Sequence, residues 1–246
     1  MTVSLIIPAY NEENRLPIFL QSVVMYANKH PEQISEVIIV DDGSTDQTAE
    51  VAKSHIAQLP QGKLRQHQRN RGKGAAVRTG IQNGAGDYIV FIDADGATAI
   101  EELPKMIAAL SQADIGIGNR SMPGAQTDRH SLLRAFSGWV NRRYMSLFGL
   151  GHIDTMCGFK GYRHDIARRL FQDLIEERWL FDTEIAYKAL RRGYSIKNFP
   201  IHWVSKDGSK LDTKTLIKSG LQIWPLLRRI KQQERKQETT KSSIRN

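Results

Sequence analysis

Short runs of β-branched and aromatic residues recur at 3–7, 36–40, 88–92, 114–120 and 196–204, with helical patterns between most of them. The first three are too brief for helices and apolar on both faces, as strands covered on both sides are. Strands alternating with helices imply a right-handed, mostly parallel α/β sheet. Such a sheet binds ligands at the carboxyl ends of its strands, so the residues just after each run matter most.

After 88–92 stands Asp93-Ala94-Asp95-Gly96. Residues two apart on an extended chain point the same way, so both carboxylates can converge on one hard cation. Gly96 lets the chain turn away without a Cβ clash. The same acids also suit a turn, or a cap for the helix that begins near Ile100. After 3–7 comes Pro8-Ala9-Tyr10-Asn11-Glu12-Glu13, where Asn11 can cap a helix carrying Leu16, Phe19, Leu20 and Val23. Capping leaves the proline and the aromatic unexplained. After 36–40 comes Asp41-Asp42-Gly43-Ser44-Thr45-Asp46, in which Ser44, Thr45 or Asp46 can cap the next helix. Asp41 and Asp42 remain, suited to accept hydrogen bonds from a base N–H or ribose hydroxyls. At 70–76, Asn-Arg-Gly-Lys-Gly-Ala-Ala opens a third helix, whose free N–H groups would favour an anion. It lacks P-loop spacing, and a solvated basic turn is the plainer account. Together the strand ends would gather Tyr10, Asp42, Asp93, Asp95 and Arg120 on one rim.

The second half is less regular. Leu132, Leu133, Phe136, Val140, Tyr144, Leu147 and Phe148 form a helical stripe beside Arg134, Arg142 and Arg143. That fits a core helix with solvated arginines, and equally a helix lying on an anionic lipid surface. Residues 154–160, Asp-Thr-Met-Cys-Gly-Phe-Lys, are polar and hard to explain as packing. Asp182 and Glu184 open a later helix, good electrostatics for a first turn and also a place to hold a hydroxyl. Lys206 and Lys210 lie in a glycine-containing loop that could close on a pyrophosphate or simply be solvated. Residues 1–227 read as one domain, and 228–246 as a basic, polar tail with too little apolar content to pack.

A chain of 246 residues can bury one substantial core. Mean hydropathy of −0.42 and the lack of an apolar run near the ~20 residues of a membrane span point to a soluble protein. The amino terminus reads as a first strand and not as a signal peptide, which implies residence in the cytoplasm. A single cysteine, Cys157, excludes an internal disulfide or a thiolate zinc site. The formal charge of +9 calls for an anionic partner. Nucleic acid is the poorest candidate, because the basic residues are mixed with acids and match no nucleic-acid-binding motif.

Pro-Ala-Tyr-Asn-Glu at 8–12, Asp-Asp-Gly-Ser at 41–44, Asn-Arg-Gly-Lys-Gly at 70–74 and Asp-Ala-Asp at 93–95 resemble, in order, the family 2 glycosyltransferases of the GT-A fold. The segments 154–160, 177–184 and 207–211 narrow the resemblance to dolichyl-phosphate glucosyltransferases. It implies a Rossmann-like, mostly parallel sheet flanked by helices. It also implies that Pro8, Tyr10, Glu12 and Asp42 hold the nucleoside, and that Lys73, Ala94 and Lys210 lie along the nucleotide sugar. Asp93 and Asp95 would hold Mg2+ or Mn2+ on the pyrophosphate. Asp95, Asp182, Glu184 and Arg120 would serve transfer, and Arg120 and Arg134 the acceptor phosphate. The reaction so implied is inverting transfer of a hexose, glucose from UDP-glucose in the first instance, to a polyprenyl phosphate at the cytoplasmic face of a membrane that the enzyme touches peripherally. Transfer of mannose from GDP-mannose, a soluble acceptor, and a catalytically dead nucleotide-binding scaffold are the rivals.

Overall fold

The computed structural model describes residues 1–59, 61–128, 143–205 and 222–235. In chain order it contains β1 (Val3–Ala9), α1 (Leu16–Lys29), β2 (Ile34–Asp41), α2 (Thr48–Ile56), β3 (Gly62–Gln66), α3 (Lys73–Asn83), β4 (Tyr88–Ile92) and α4 (Leu103–Leu110). Then come β5 (Ile115–Asn119), β6 (Gln126–Asp128), β7 (Phe159–Arg163), α5 (His164–Phe171), α6 (Phe181–Arg191), β8 (Ile196–Pro200) and β9 (His202–Val204). A last helix, α7, covers 222–235.

Seven strands form one sheet in the order β3-β2-β1-β4-β7-β5-β8. β1 to β4 run parallel, as the alternating pattern predicts. β7 enters between β4 and β5 antiparallel to both. β6 and β9 make a separate two-stranded ribbon. The run at 196–204 is therefore not one strand. It breaks at Ile201, and its second part leaves the large sheet.

Alternation along the strands builds a core on each side. Leu5 and Ile7 face α1 and α4. Ile6, Ile38 and Val40 face α3, α5, α6 and α7. Gly80 of α3 is required by closeness to the sheet, since a Cβ there would strike the Ile6 side chain.

Two local expectations change. Asn11 does not cap α1, whose N-cap is Arg15 without a side-chain bond. Instead Asn11 sits at φ 50°, in the left-handed region that asparagine tolerates. The basic segment from 228 also begins as packed helix: α7 continues through 235, with Ile230 fully buried. The Nη2 of Arg192 lies 2.6 Å from the buried Glu234 carboxylate, and Gln233 Nε2 donates to the Asp173 carbonyl at 3.1 Å. Neutralised by those partners, the polar residues of α7 cost little to bury.

Candidate active site

The carboxyl ends of β1 and β2 are tied into one ledge. Asn11 N donates to Ser44 Oγ at 2.9 Å, and Asn11 Oδ1 accepts from Thr45 N at 2.9 Å. Glu12 N donates to Thr48 Oγ1 at 2.7 Å, while the Glu12 carboxylate takes the Arg15 guanidinium at 2.6 Å. Pro8 is buried within β1, beyond the point where β1 stops pairing with β4, so its missing N–H costs little. Tyr10 stands half-buried beside it.

Asp42 is engaged within the fold. Its carboxylate accepts from Arg71 N at 3.0 Å, Gly72 N at 2.7 Å and His67 Nδ1 at 2.6 Å. The acid read as an acceptor for base or ribose thus already carries three donors of its own chain. The start of α3 is likewise occupied. Gly74 N donates to Arg178 O at 3.3 Å and Ala75 N to Glu177 O at 3.0 Å. These amides are not the open anion cradle that the sequence suggested. A Cβ on Gly72 (φ 116°) would strike Glu177 O, which is why the segment can close on the helix start. What α3 does present is Lys73, with Nζ 2.5 Å from Asp93 Oδ1.

Asp93 directly follows the last residue of β4, and Asp95 lies in the turn after it. Asp95 Oδ1 accepts from Ala97 N at 2.9 Å, and a short 3-10 turn starts only at Ile100 after an N-cap at Ala99, so neither acid caps it. Burial and then the neighbouring Asp93 charge push the Asp95 carboxyl above its ordinary range. The pair therefore lacks positive charge even with Lys73 alongside. A divalent cation fits that deficit, and two carboxylates are the protein share a Mg2+-like ion takes when phosphates supply the rest. Ala94 is buried between the two acids.

The inserted β7 supplies what sequence reasoning left without a role. Because it runs antiparallel, its first residues arrive at the last residues of β4. Asp93 N donates to Gly158 O at 3.0 Å, and a Cβ at Gly158 would fall on the Asp93 carboxylate. Asp154, just upstream, binds Arg120 at the end of β5, with Nε at 2.9 Å and Nη2 at 2.8 Å. Burial would raise the Asp154 carboxyl, but Arg120 outweighs it and holds it down at about 2. Arg120 also stacks on Trp203 of β9, its guanidinium carbon 5.2 Å from the ring centroid. Cys157 is buried beside this pair, and burial pushes its thiol up to about 11, leaving it inert.

Lys160 of β7 is 1% exposed. Its Nζ lies 3.0 Å from Asp182 Oδ1 and donates to the carbonyls of Thr155 and Cys157. Burial raises the Asp182 carboxyl, against the opposing pull of Lys160 and Lys73. Asp182 thus joins the rim, and Glu184 does not. Two residues apart on a helix, they point roughly 200° away from each other. Glu184 is fully buried, accepting from Ile175 N at 2.9 Å and Glu176 N at 2.7 Å and pairing with Lys188 at 2.7 Å. Its task is to fix the segment that closes on α3. Lys210 and Arg134 lie outside the described residues. The one sequence hint of Asp154 and Lys160 was negative: a compact polar stretch too poor in apolar residues to pack.

The model of the family described as glycosyl transferase family 2 matches residues 4–171. A dolichyl-phosphate beta-glucosyltransferase of Trichomonas vaginalis is 36% identical over 230 residues, covering 89% of this chain and 68% of that one. Its namesake in Dictyostelium discoideum is 37% identical over 224 residues, covering 85% and 68%, and the Homo sapiens one 34% over 233, covering 85% and 69%. Among solved structures, glucosyl-3-phosphoglycerate synthase of Mycobacterium tuberculosis superposes with a TM-score of 0.67 at 18% identity, over 93% of this chain and 80% of that one. That similarity speaks for the fold, and the sequence relatives, with the site just described, for the family. This chain is a glycosyltransferase belonging to family 2.

Proposed function

We propose that this enzyme transfers glucose from UDP-glucose, with inversion, to a dolichyl-type polyprenyl phosphate. The observation that carries the reading is the placing of Asp93 and Asp95 at the end of β4, with Lys73 Nζ 2.5 Å from Asp93 and the β7 loop closed on it through Gly158. The names of its relatives support the acceptor class. Complexes of the Mycobacterium tuberculosis enzyme with UDP and Mn2+ or Mg2+ support the donor and the cation.

Asp93 and Asp95 would hold the cation beside the donor's pyrophosphate oxygens, and when bound it would supply Lewis-acid stabilisation of the departing nucleoside diphosphate. Lys73 adds a fixed positive charge beside those oxygens; burial would lower its pKa, but Asp93 and then Asp182 raise it, so it stays charged. Pro8, Tyr10 and Glu12 on the ledge bound the nucleoside, with Asp42 holding the floor beneath it. An oxygen of the acceptor phosphate attacks the anomeric carbon from the face opposite the diphosphate. The new C–O bond forms as the old one breaks, and UDP departs with the bonding pair. The acceptor phosphate has a second pKa near 6, so at neutral pH it is largely dianionic and needs no base. Asp182 then positions a sugar hydroxyl. Arg120, oriented by Asp154 and Trp203, faces the acceptor phosphate.

The acceptor is a lipid, and a surface on the far half suits a membrane. Trp224 and Leu147 are 66% and 76% exposed, and the Trp224 ring lies 6.3 Å from that of Phe148. Arg228 falls one helical turn beyond Trp224, with exposed Arg229 and Lys231 following. Aromatic residues beside basic ones are matched to an anionic leaflet. No helix among the described residues is long and apolar enough to cross a membrane. The direct test is incubation with UDP-, GDP- and other hexose donors against short polyprenyl phosphates, read by mass spectrometry of the organic extract. Glucosyl lipid from UDP-glucose is expected. Transfer only from GDP-mannose, or only to water-soluble acceptors, would refute the assignment.

A further inference from the structure

Lys160 occupies a position where a chain building only for stability would put an apolar residue. It sits on β7 between two strands, in register with Phe91 of β4 and Ile117 of β5, and its ammonium lies 5.5 Å from the Phe91 ring. A buried ion pair at such a place is often no more stabilising than a well-packed apolar substitute, so its presence needs another reason. Its partner is equally unusual. Asp182 is 6% exposed, and its Oδ1 has the ammonium at 3.0 Å but no hydrogen bond among the described residues. A cavity of about 10 Å³ adjoins both, lined by Lys160, Tyr162, Asp182 and Ile185 among others. It holds at most one water.

We propose that Lys160 is a positioning residue for the transfer step, holding the Asp182 carboxylate towards the reacting centre while pinning the loop that carries Asp154 and Gly158. Three directions of force meet at its Nζ. Two go to the carbonyls of Thr155 and Cys157, which fixes the loop whose Gly158 abuts Asp93 and whose Asp154 orients Arg120. The third goes to Asp182, close enough to Lys73 and Asp93 for their charges to act on it. One buried cation thereby sets the spacing between the donor side and the acceptor side of the site. Alignment of this kind is worth much to a displacement, where a shift of about 1 Å can cost about 10²-fold in rate. It is worth less to ground-state binding of the nucleotide, which the reading above assigns to the β1–β2 ledge, Lys73 and the Asp93–Asp95 pair. The inference rests on the glycosyl-transfer reading above.

The experiment is a double-mutant cycle with K160Q, D182N and K160Q/D182N, plus K160R as the conservative variant. Melting temperature, UDP binding by calorimetry with Mn2+, and kcat and KM for UDP-glucose are measured on each. K160Q is expected to keep UDP affinity within about threefold and lose about 10²-fold in kcat, with K160R recovering part of it. The double variant should lose less than the product of the two single losses, because Lys160 acts in part through Asp182 and in part through the loop it pins. Should K160Q fail to fold, the double variant, which removes both charges, gives the comparison with D182N. Unchanged kcat in K160Q, losses that multiply in the double variant, or a fall in UDP affinity matching the fall in kcat would each overturn the proposal. A wild-type enzyme without transfer activity would overturn the functional reading and this one with it. An active wild type with an equally active K160Q would overturn this one alone.

Discussion

At Asp95 the chemistry turns on charge. D95N keeps the shape and the bond to Ala97 N but removes half the carboxylate pair, so kcat is expected to fall by about 10²-fold or more at saturating Mn2+, in a direct assay of lipid-linked hexose. Gly158 tests the same place by volume. Its backbone is not left-handed, but a new Cβ would strike the Asp93 Cγ, so the whole Asp93 carboxylate must turn away. G158A should therefore raise the Mn2+ requirement, measurable by metal titration of activity, and lower the melting temperature less than it raises that requirement. Asp154 shows its effect in acid. Its carboxyl is held at about 2 against an ordinary 3.8, so it adds stability above pH 4 that disappears as the pH falls towards 2. That shift amounts to about 2 kcal/mol. Urea melts of wild type should weaken across that window. D154N should lack this part of the pH dependence and be less stable at neutral pH by about 2 kcal/mol, the charge interaction it removes, since Arg120 is only partly buried.

At the scale of the element, α6 divides its acids between two duties. Asp182 turns to the sheet end, and Glu184 turns inward to the 175–176 amides and Lys188. E184Q should consequently cost stability, about 1–3 kcal/mol, because it removes one of the two carboxylates at the buried Lys188 and leaves Asp173 as its remaining anion, while the folded fraction keeps its kcat. Measuring activity per folded molecule below the melting temperature separates the two effects. The acids look alike in sequence, and only helix geometry tells them apart. The inserted strand is the opposite case. Phe-Lys-Gly-Tyr-Arg at 159–163 carries two charges and a glycine, so propensity alone does not mark it as central to a sheet. Lys160 is tolerated there because Asp182 and two carbonyls receive it, and although the carbonyls of Thr155 and Cys157 are close along the chain, Asp182 comes from another element.

Over the whole molecule, β1, β2 and β4 were legible because they are hydrophobic on both faces and their polar residues collect at their ends, whereas β3, Gly-Lys-Leu-Arg-Gln at 62–66, is polar and half-exposed and carries no such signal. Tyr10, Asp42, Asp93, Asp95 and Arg120 follow the carboxyl ends of their strands as expected. The roles of Asp42, Glu184 and the α3 start were not legible, since a carboxylate or an amide facing a ligand and one facing its own backbone have the same sequence signature. Nor was the length of α7, whose polar residues are neutralised by Arg192 and Asp173 from distant segments. Its outer side gives a test for the intact protein. W224S combined with L147S should weaken sedimentation with phosphatidylserine vesicles by about tenfold without changing transfer to a detergent-dispersed acceptor, and added salt should weaken wild type as well.

β7 has one more consequence. β4 and β5 never touch directly; each bonds to the strand between them, which is synthesised some forty residues after β5 ends. Until that strand arrives, two raw hydrogen-bonding edges stand open, an invitation to pair with other chains. Catalytic competence therefore comes late on the folding pathway, and a nascent chain halted before Phe159 is expected to be both inactive and prone to aggregate.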